Sequence, residues 1–420
     1  MPTDLVVIGL GYVGLPLARE ATASGLTVAG LDTSAGLVAS LNSGVSHVDD
    51  ITDAEVAAMH AAGFRATTDE SVIAGAATVV ICVPTPLAEH GGPDLAMVES
   101  ACAAVGRHLR PDTLVVLEST TYPGTTDEVV RPILERSGLR AGADFHLAFS
   151  PERVDPGNTV YGIRNTPKVV GGHTPGCTAA AASFYGKLVD EVVQAAGTRE
   201  AEMAKLIENT YRHVNIALVN EMAVFCHELG IDLWDAISCA ATKPFGYQAF
   251  RPGPGVGGHC IPIDPNYLAH KVRTLGYPFR MVELAQEINT RMPRYVVERV
   301  QHLLDRTGRT LSGARVLLLG VTYKADIADQ RETSARDVVR RLRALGAEVT
   351  FHDPYVPAWE VDGVPVTATA AELPEALAAS DIAVLLQRHR AYDLDQLAAH
   401  APLLLDTRGA LAPQAHVERL

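Results

Sequence analysis

The sequence predicts an α/β protein: two Rossmann-like, doubly wound domains joined by a long central helix and a helical middle region. Three observations predict it. Apolar runs of strand length alternate with helical patterns through the N-terminal part, the mark of βαβ units around a parallel sheet. From Glu200 to Leu229 there is neither Gly nor Pro, and apolar residues recur at helical spacing. From Gly313 the strand–helix alternation begins again. The implied domains are residues 1–197, 198–305 and 306–420.

Asp4 to Gly9 reads as a buried strand; Gly9-Leu10-Gly11-Tyr12-Val13-Gly14 then opens a helix over Leu15 to Ser24. The second strand runs from Leu26 to Leu31 and ends at Asp32. Further strands are expected over 78–83, 113–117 and 146–149. On the long helix Met203, Leu206, Ile207, Tyr211, Val214, Leu218, Met222 and Phe225 keep the helical period, and Asp232 is the expected N-cap of the next helix. Residues 246–265 form a Gly- and Pro-rich loop. A helical region over 267–304 follows, with a bend expected near Pro293. In the last domain strands are expected over 315–319, 348–352, 381–386 and 403–405. Its first turn has Gly320 but no second GxGxxG, so a second dinucleotide held by the same device is not expected.

With 420 residues, 47% of them hydrophobic and 20% charged, and no polar low-complexity tract, the chain can bury several cores and is not extensively disordered. The formal net charge of −14 argues against nonspecific nucleic-acid binding, which needs a basic footprint. No apolar run is long enough for a membrane span, and the N-terminus runs into a strand without a basic leader. The cysteines form no CxxC pair and the histidines show no ligand spacing. Free thiols in a reducing cytoplasm, and no metal, are therefore expected.

The glycine pattern lies in the context of a dinucleotide site. Gly9 makes the tight turn, Gly11 lets a pyrophosphate approach, and Gly14 packs helix on strand, with Tyr12 and Val13 between them. Asp32 would bind ribose hydroxyls and favour NAD over NADP. Thr85 and Thr120 each follow a buried strand, at the edge where such sheets bind ligands. They either reach the cofactor or a water, or cap the next helix.

Lys205 and Asn209 share a helix face; they either stabilise an oxyanion or are a snorkelling lysine beside a surface amide. Cys260 sits after Gly253-Pro254-Gly255-Val256-Gly257-Gly258-His259, with Asp264 four residues on. A free cysteine is usually a small buried hydrophobe, but this loop suits a nucleophile, with Asp264 managing the proton or a water. His259 points away from its neighbour on an extended chain and is given no catalytic role. Lys324, Arg331 and Arg408 fall near the ligand edge of the second sheet; with Lys243 and Arg251 they either hold a diphosphate or are solvated surface charges. A nicotinamide site and a nucleophilic cysteine in one chain suggest oxidation of an alcohol to an acid through a thioester.

GLGYVGLP at the start, VPTP at 83, ESTTYPGTT at 118, SPERVDPGN at 150, the Lys205–Asn209 pair, GPGVGGHCIPIDP at 253 and GVTYKADIADQRETSA at 320 span nearly the whole chain. Together they resemble the UDP-glucose/GDP-mannose (nucleotide-sugar) 6-dehydrogenase family. The resemblance implies an N-terminal NAD domain, a long central helix at a homodimer interface and a C-terminal domain for the nucleotide part of the substrate. It implies Cys260 as the nucleophile that forms a thiohemiacetal and then a thioester, and Lys205 and Asn209 as the groups holding the C6 oxygen. Asp264 and Thr120 then position water, and Glu152 serves thioester hydrolysis. Lys324 matches a substrate-contacting lysine and Arg331 an arginine reaching the NAD site. Arg153, Lys243, Phe250, Arg251, Gly257 and Arg408 complete the implied substrate contacts.

Family members acting on UDP-glucose tend to read NPEF, and GGSC or GGPC, where this chain has Ser150-Pro151-Glu152-Arg153 and Gly257-Gly258-His259-Cys260. ATKPFGY at 241 and PGPG at 252 are similar to UDP-N-acetylglucosamine 6-dehydrogenases. UDP-glucose, dTDP-glucose and UDP-N-acetylmannosamine stand as alternative substrates. Two other classes compete: a one-step dehydrogenase of the 6-phosphogluconate type, and a non-catalytic NAD-binding regulator, against which the set Cys260, Lys205, Asn209 and Asp264 argues.

Overall fold

The structure, a computed structural model, describes residues 3–48, 50–88, 92–155, 157–158, 160–258 and 263–420; Cys260 and His259 lie outside the described residues. Two compact units emerge. One comprises Met1–Glu208 and Asn266–Pro278, the other Asn209–Pro265 and Phe279–Leu420.

The first unit carries β1 (Thr3–Ile8), β2 (Val28–Leu31), β3 (Arg65–Thr67), β4 (Ala76–Ile81), β5 (Leu114–Leu117), β6 (His146–Phe149), β7 (Lys168–Gly172) and β8 (Val192–Gln194). Their order is β3-β2-β1-β4-β5-β6-β7-β8, so the chain leaves the centre of the sheet first one way and then the other. The strand sequences are apolar on both faces because helices cover both. Leu5 and Val7 enter one core with Leu15, Val80 and Val116, while Val6 and Ile8 enter the other with Val79, Ile81 and Leu117. The expected parallel sheet is broken once: β7 runs antiparallel to β6. The described part of 150–167 forms no helix, and a strand that returns without a crossover helix must run the opposite way.

The second unit carries β9 (Arg315–Leu319), β10 (Glu348–His352), β11 (Trp359–Val361), β12 (Val364–Ala368), β13 (Ile382–Leu385), β14 (Leu404–Asp406) and β15 (Val417–Arg419), ordered β11-β12-β10-β9-β13-β14-β15. Only the hairpin β11–β12 is antiparallel among its strand pairs in the described residues. Val316 and Leu318 face one core, Leu317 and Leu319 the other. The first turns of the two sheets match. Gly9 (φ +89°) and Gly320 (φ +75°) each follow the first strand, and each has a backbone carbonyl, of Cys82 or Gln387, less than 3 Å from where a Cβ would sit.

The central helix is Thr198–Glu228. Asp232 caps the helix Leu233–Ala240, as the sequence suggests, by accepting from the Trp234 and Asp235 N–H groups. The helical stretch expected over 267–304 is two helices, Asp264–Thr274 and Arg280–Asp305. The break falls at the Leu275–Phe279 connection rather than at Pro293, which lies inside the second helix. Gly276, at φ +83°, ends the first of them in the conformation that only glycine adopts readily. Among the described residues no helix is long and apolar enough to cross a membrane.

Candidate functional site

The turn after β1 fits a dinucleotide. A Cβ on Gly14 would lie 1.8 Å from the Gly9 carbonyl oxygen, so this helix start demands glycine for packing. A Cβ on Gly11 would meet nothing within 4 Å; the protein leaves that space open on the side where a pyrophosphate would approach. Tyr12 and Val13 lie half-buried against the core beneath the turn. Asp32 accepts from the Leu10 N–H through Oδ2 and the Ser34 N–H through Oδ1, both at 2.9 Å, which fixes its carboxylate beside the turn. At the neighbouring strand ends, the Thr85 hydroxyl donates to the Thr120 carbonyl at 2.8 Å, and the Tyr267 hydroxyl donates to the Thr85 carbonyl. Thr85 thus braces Thr120 instead of capping a helix.

Glu152 follows β6 and is deeply buried. Its Oε1 accepts from the Arg153 and Val154 N–H groups, and its Oε2 lies 3.2 Å from the Lys168 ammonium. Burial works to raise this carboxyl, but Lys168, the Val154 N–H and Lys205 outweigh it and hold the group below the usual carboxylate range. Lys205 donates to the Glu152 carbonyl oxygen at 2.6 Å. The Arg153 guanidinium is tied to Glu208 and to the Pro167 carbonyl. In the second unit Asn209, 6% exposed, donates its amide to Asp264 Oδ2 at 2.5 Å, and Asp264 is 2% exposed.

The glycine-rich loop is held from two sides within the second unit. The Gly253 N–H donates to Asn220 Oδ1, Asn220 donates to Asn289 Oδ1, and Asn289 reaches the His213 carbonyl. His213 is wholly buried; burial lowers its pKa to about 4, and its Nε2 has no partner among the described residues. On the other side, a Cβ on Gly257 would come within 2.7 Å of the Glu332 carbonyl and 2.8 Å of Tyr323, and the Gly258 N–H donates to the Arg331 carbonyl. Gly257 and Gly258 therefore lie close against the segment carrying Lys324 and Arg331. Glu332 on that segment sits at φ +49°, a strained value for a side-chain-bearing residue. Arg331 closes its guanidinium on Asp329. A cavity of about 720 Å³ opens here, lined among others by His213, Gly255, Arg331, Glu332, Arg336 and Asp337.

Arg408 donates to the Leu386 carbonyl and comes to 3.1 Å from where a Cβ on Gly253 would sit, so it too backs the glycine loop. Arg251 stacks at 5.7 Å from the Trp234 ring, Lys243 at 5.1 Å from Phe245, and Phe250 meets Tyr211 edge-on. Lys243 and Arg251 are exposed and point to no partner carboxylate among the described residues.

Lys168, Glu118 and Tyr185 form a buried cluster that no single motif marks. Lys168 lies 3.1 Å from Glu118 Oε1, Tyr185 donates to Glu118, and all three side chains are buried. Burial pushes the Glu118 carboxyl up, against the pull of Lys168. Cys82 packs against the same carboxylate, and burial raises its thiol well above the ordinary value, in keeping with an inert side chain. The available signal was Lys168 itself, a lone charge opening the apolar run Val169-Val170-Gly171-Gly172.

Three family profiles match in chain order: the UDP-glucose/GDP-mannose dehydrogenase family NAD-binding domain over residues 3–189, its central domain over 199–291 and its UDP-binding domain over 317–413. UDP-N-acetyl-D-glucosamine 6-dehydrogenases of Pseudomonas aeruginosa and Salmonella typhi are 38% and 39% identical to this chain. The matches cover 84% and 85% of this chain and 83% of each relative. Among solved structures, a UDP-D-ManNAc dehydrogenase from Pyrococcus horikoshii superimposes with a TM-score of 0.89 at 31% identity, covering 99% of this chain and 98% of that one.

Proposed function

The chain belongs to the UDP-glucose/GDP-mannose dehydrogenase family, and on that premise we propose that it oxidises UDP-N-acetylglucosamine to UDP-N-acetylglucosaminuronate. It is an NAD-dependent nucleotide-sugar 6-dehydrogenase, with a UDP-binding segment at its C-terminal end. The choice of sugar is supported by the motifs at 241 and 252 together with the two N-acetylglucosamine-oxidising relatives. UDP-N-acetylmannosamine is the second reading, favoured by the structural match.

The observation that carries the mechanism is the pair of polar anchors on the central helix, Lys205 on the Glu152 carbonyl and Asn209 on Asp264. A lysine and an amide held at fixed places on one helix suit a substrate oxygen that gains negative charge as its proton is lost, and again as the thiolate adds to the aldehyde. Gly9, Gly11, Gly14 and Asp32 would hold NAD, which would supply the hydride acceptor for each of two oxidations. The chain's own residues do the rest. Lys205 and Asn209 hold the C6 oxygen. The Cys260 thiolate attacks the aldehyde carbon and retains it as a thiohemiacetal; after the second oxidation the sugar is a thioester on the same sulfur. Asp264 and Thr120 position the water that releases the acid, and Glu152 serves that hydrolysis. The sum is one alcohol, two NAD⁺ and one water giving a carboxylate, two NADH and three protons. Lys324, Arg331, Arg408, Lys243 and Arg251 surround the diphosphate, and Arg153, Phe250 and Gly257 complete the substrate contacts.

The assembly is a cytoplasmic homodimer formed through the central helix. In support, Tyr211, Leu218 and Phe225 stand exposed along that helix, Leu218 at 53%, an apolar stripe that a lone subunit would leave in water. Light scattering of the wild type and of Leu218→Glu checks this; a monomeric wild type would refute it.

NADH formed per sugar, measured side by side on UDP-N-acetylglucosamine, UDP-N-acetylmannosamine, UDP-glucose and dTDP-glucose, tests the function. Two NADH per UDP-N-acetylglucosamine, with that substrate preferred, is expected. One NADH per sugar would remove the thioester, and preference for another sugar would reassign the branch.

A further inference from the structure

Lys168 opens β7 with its ammonium shut off from solvent between Glu118 Oε1 at 3.1 Å and Glu152 Oε2 at 3.2 Å. Two buried carboxylates repel each other, and the ammonium makes their approach tolerable. Tyr185 closes the cluster, donating to Glu118 and placing its ring 5.2 Å from the Lys168 nitrogen. Glu118 follows β5, Glu152 follows β6, Lys168 begins β7 and Tyr185 ends the helix Pro175–Tyr185, so four elements meet at one charge. Glu152 passes the constraint on. Its carboxylate grips its own following backbone through Arg153 and Val154 N–H, and its carbonyl oxygen receives Lys205.

We infer that Lys168 is a positioning residue for the oxidation: by clamping the Glu152 carboxylate it sets the place of the Glu152 carbonyl oxygen, and through that oxygen the place of the Lys205 ammonium. Apolar side chains of similar volume would pack this site with less desolvation cost. What the charges add is a single fixed position for one carbonyl.

This inference rests on Lys205 acting in the reaction, and the experiment separates the two. Steady-state kcat and KM are measured for Lys168→Met, Lys168→Arg, Lys205→Ala and the double variant Lys168→Met/Lys205→Ala, with folding followed by circular dichroism. Lys168→Met is expected to lower kcat on the order of 10²-fold with little change in the KM for NAD, as a displaced catalytic group would. Lys168→Arg should recover most of the loss, and Lys168→Met should add almost nothing once Lys205 is gone. Equal slowing in both backgrounds, or a folded Lys168→Met with wild-type kcat, overturns the positioning role. Full activity of Lys205→Ala overturns the reading of Lys205 instead, and this inference with it. If Lys168→Met does not fold, Lys168→Met/Glu118→Gln removes opposite charges together and is judged by the same comparison.

Discussion

The Asn209 side chain donates its amide to the Asp264 carboxylate at 2.5 Å, tying the central helix to the first residue of the helix Asp264–Thr274. One of the two amide N–H groups is thereby committed, which fixes the orientation of the side chain and aims the other. Asn209→Ala is expected to lower kcat by about 10²-fold, the cost of losing one preorganised donor, with a smaller effect on the KM for the sugar nucleotide. Initial-rate kinetics check it; a change in KM alone would mean that Asn209 serves binding only.

Gly11 and Gly14 belong to one motif but should fail in different ways. Gly14→Ala drives a Cβ into the Gly9 carbonyl and should lower Tm by several degrees, whereas Gly11→Ala meets open space and should leave Tm unchanged while weakening NAD binding. Thermal melts and NAD titrations of the two variants separate these outcomes.

Asp32→Ala removes an acceptor already aligned by two backbone N–H groups. The KM for NAD should rise about tenfold, corresponding to a hydrogen bond worth roughly 1.4 kcal/mol, and the preference for NAD over NADP should narrow. Parallel kinetics with the two cofactors measure it.

Glu202 is wholly buried and accepts from the Gly124 and Thr126 N–H groups and the Thr126 hydroxyl, yet burial outweighs these bonds and raises its pKa from 4.5 to about 7. The folded chain therefore holds this proton more tightly than the unfolded one. Its contribution to stability is fully present below pH 4.5 and is lost as pH rises through about 7. Denaturant midpoints between those values should fall with rising pH, and Glu202→Gln should flatten that slope whatever its own midpoint.

The sequence made the first βαβ unit legible because one short motif specifies turn, helix start and acid together. Strand ends such as His146–Phe149 and Glu348–His352 fall where the apolar runs end. The reversed β7 was hidden, since an apolar run carries no direction, and direction depended on the irregular segment before it. The break at Leu275–Phe279 was missed because Pro293 was the louder signal, although the helix Arg280–Asp305 accommodates it. The Glu118–Lys168–Glu152 cluster was invisible for a different reason. Its members are 16 to 50 residues apart on separate strand ends, and a charged residue at a strand end reads as solvated until the fold shows what covers it.

Asp32 has a counterpart in Asp353, which accepts from the Val321 and Tyr355 N–H groups just as Asp32 accepts from those of Leu10 and Ser34. But Asp353 also binds His389, buried at 3.1 Å, whose Nδ1 accepts from the Asp326 N–H and so leaves Nε2 to donate. The second acid is spent on a buried histidine, whereas the bonds that hold Asp32 come from backbone N–H groups among the described residues. On the two-step oxidation proposed above, with NAD held at the first turn, one seat would serve both oxidations. On that reading the half-oxidised sugar would stay moored while the seat is vacated and refilled, and retention of the intermediate, rather than speed of either oxidation, would set the yield of acid.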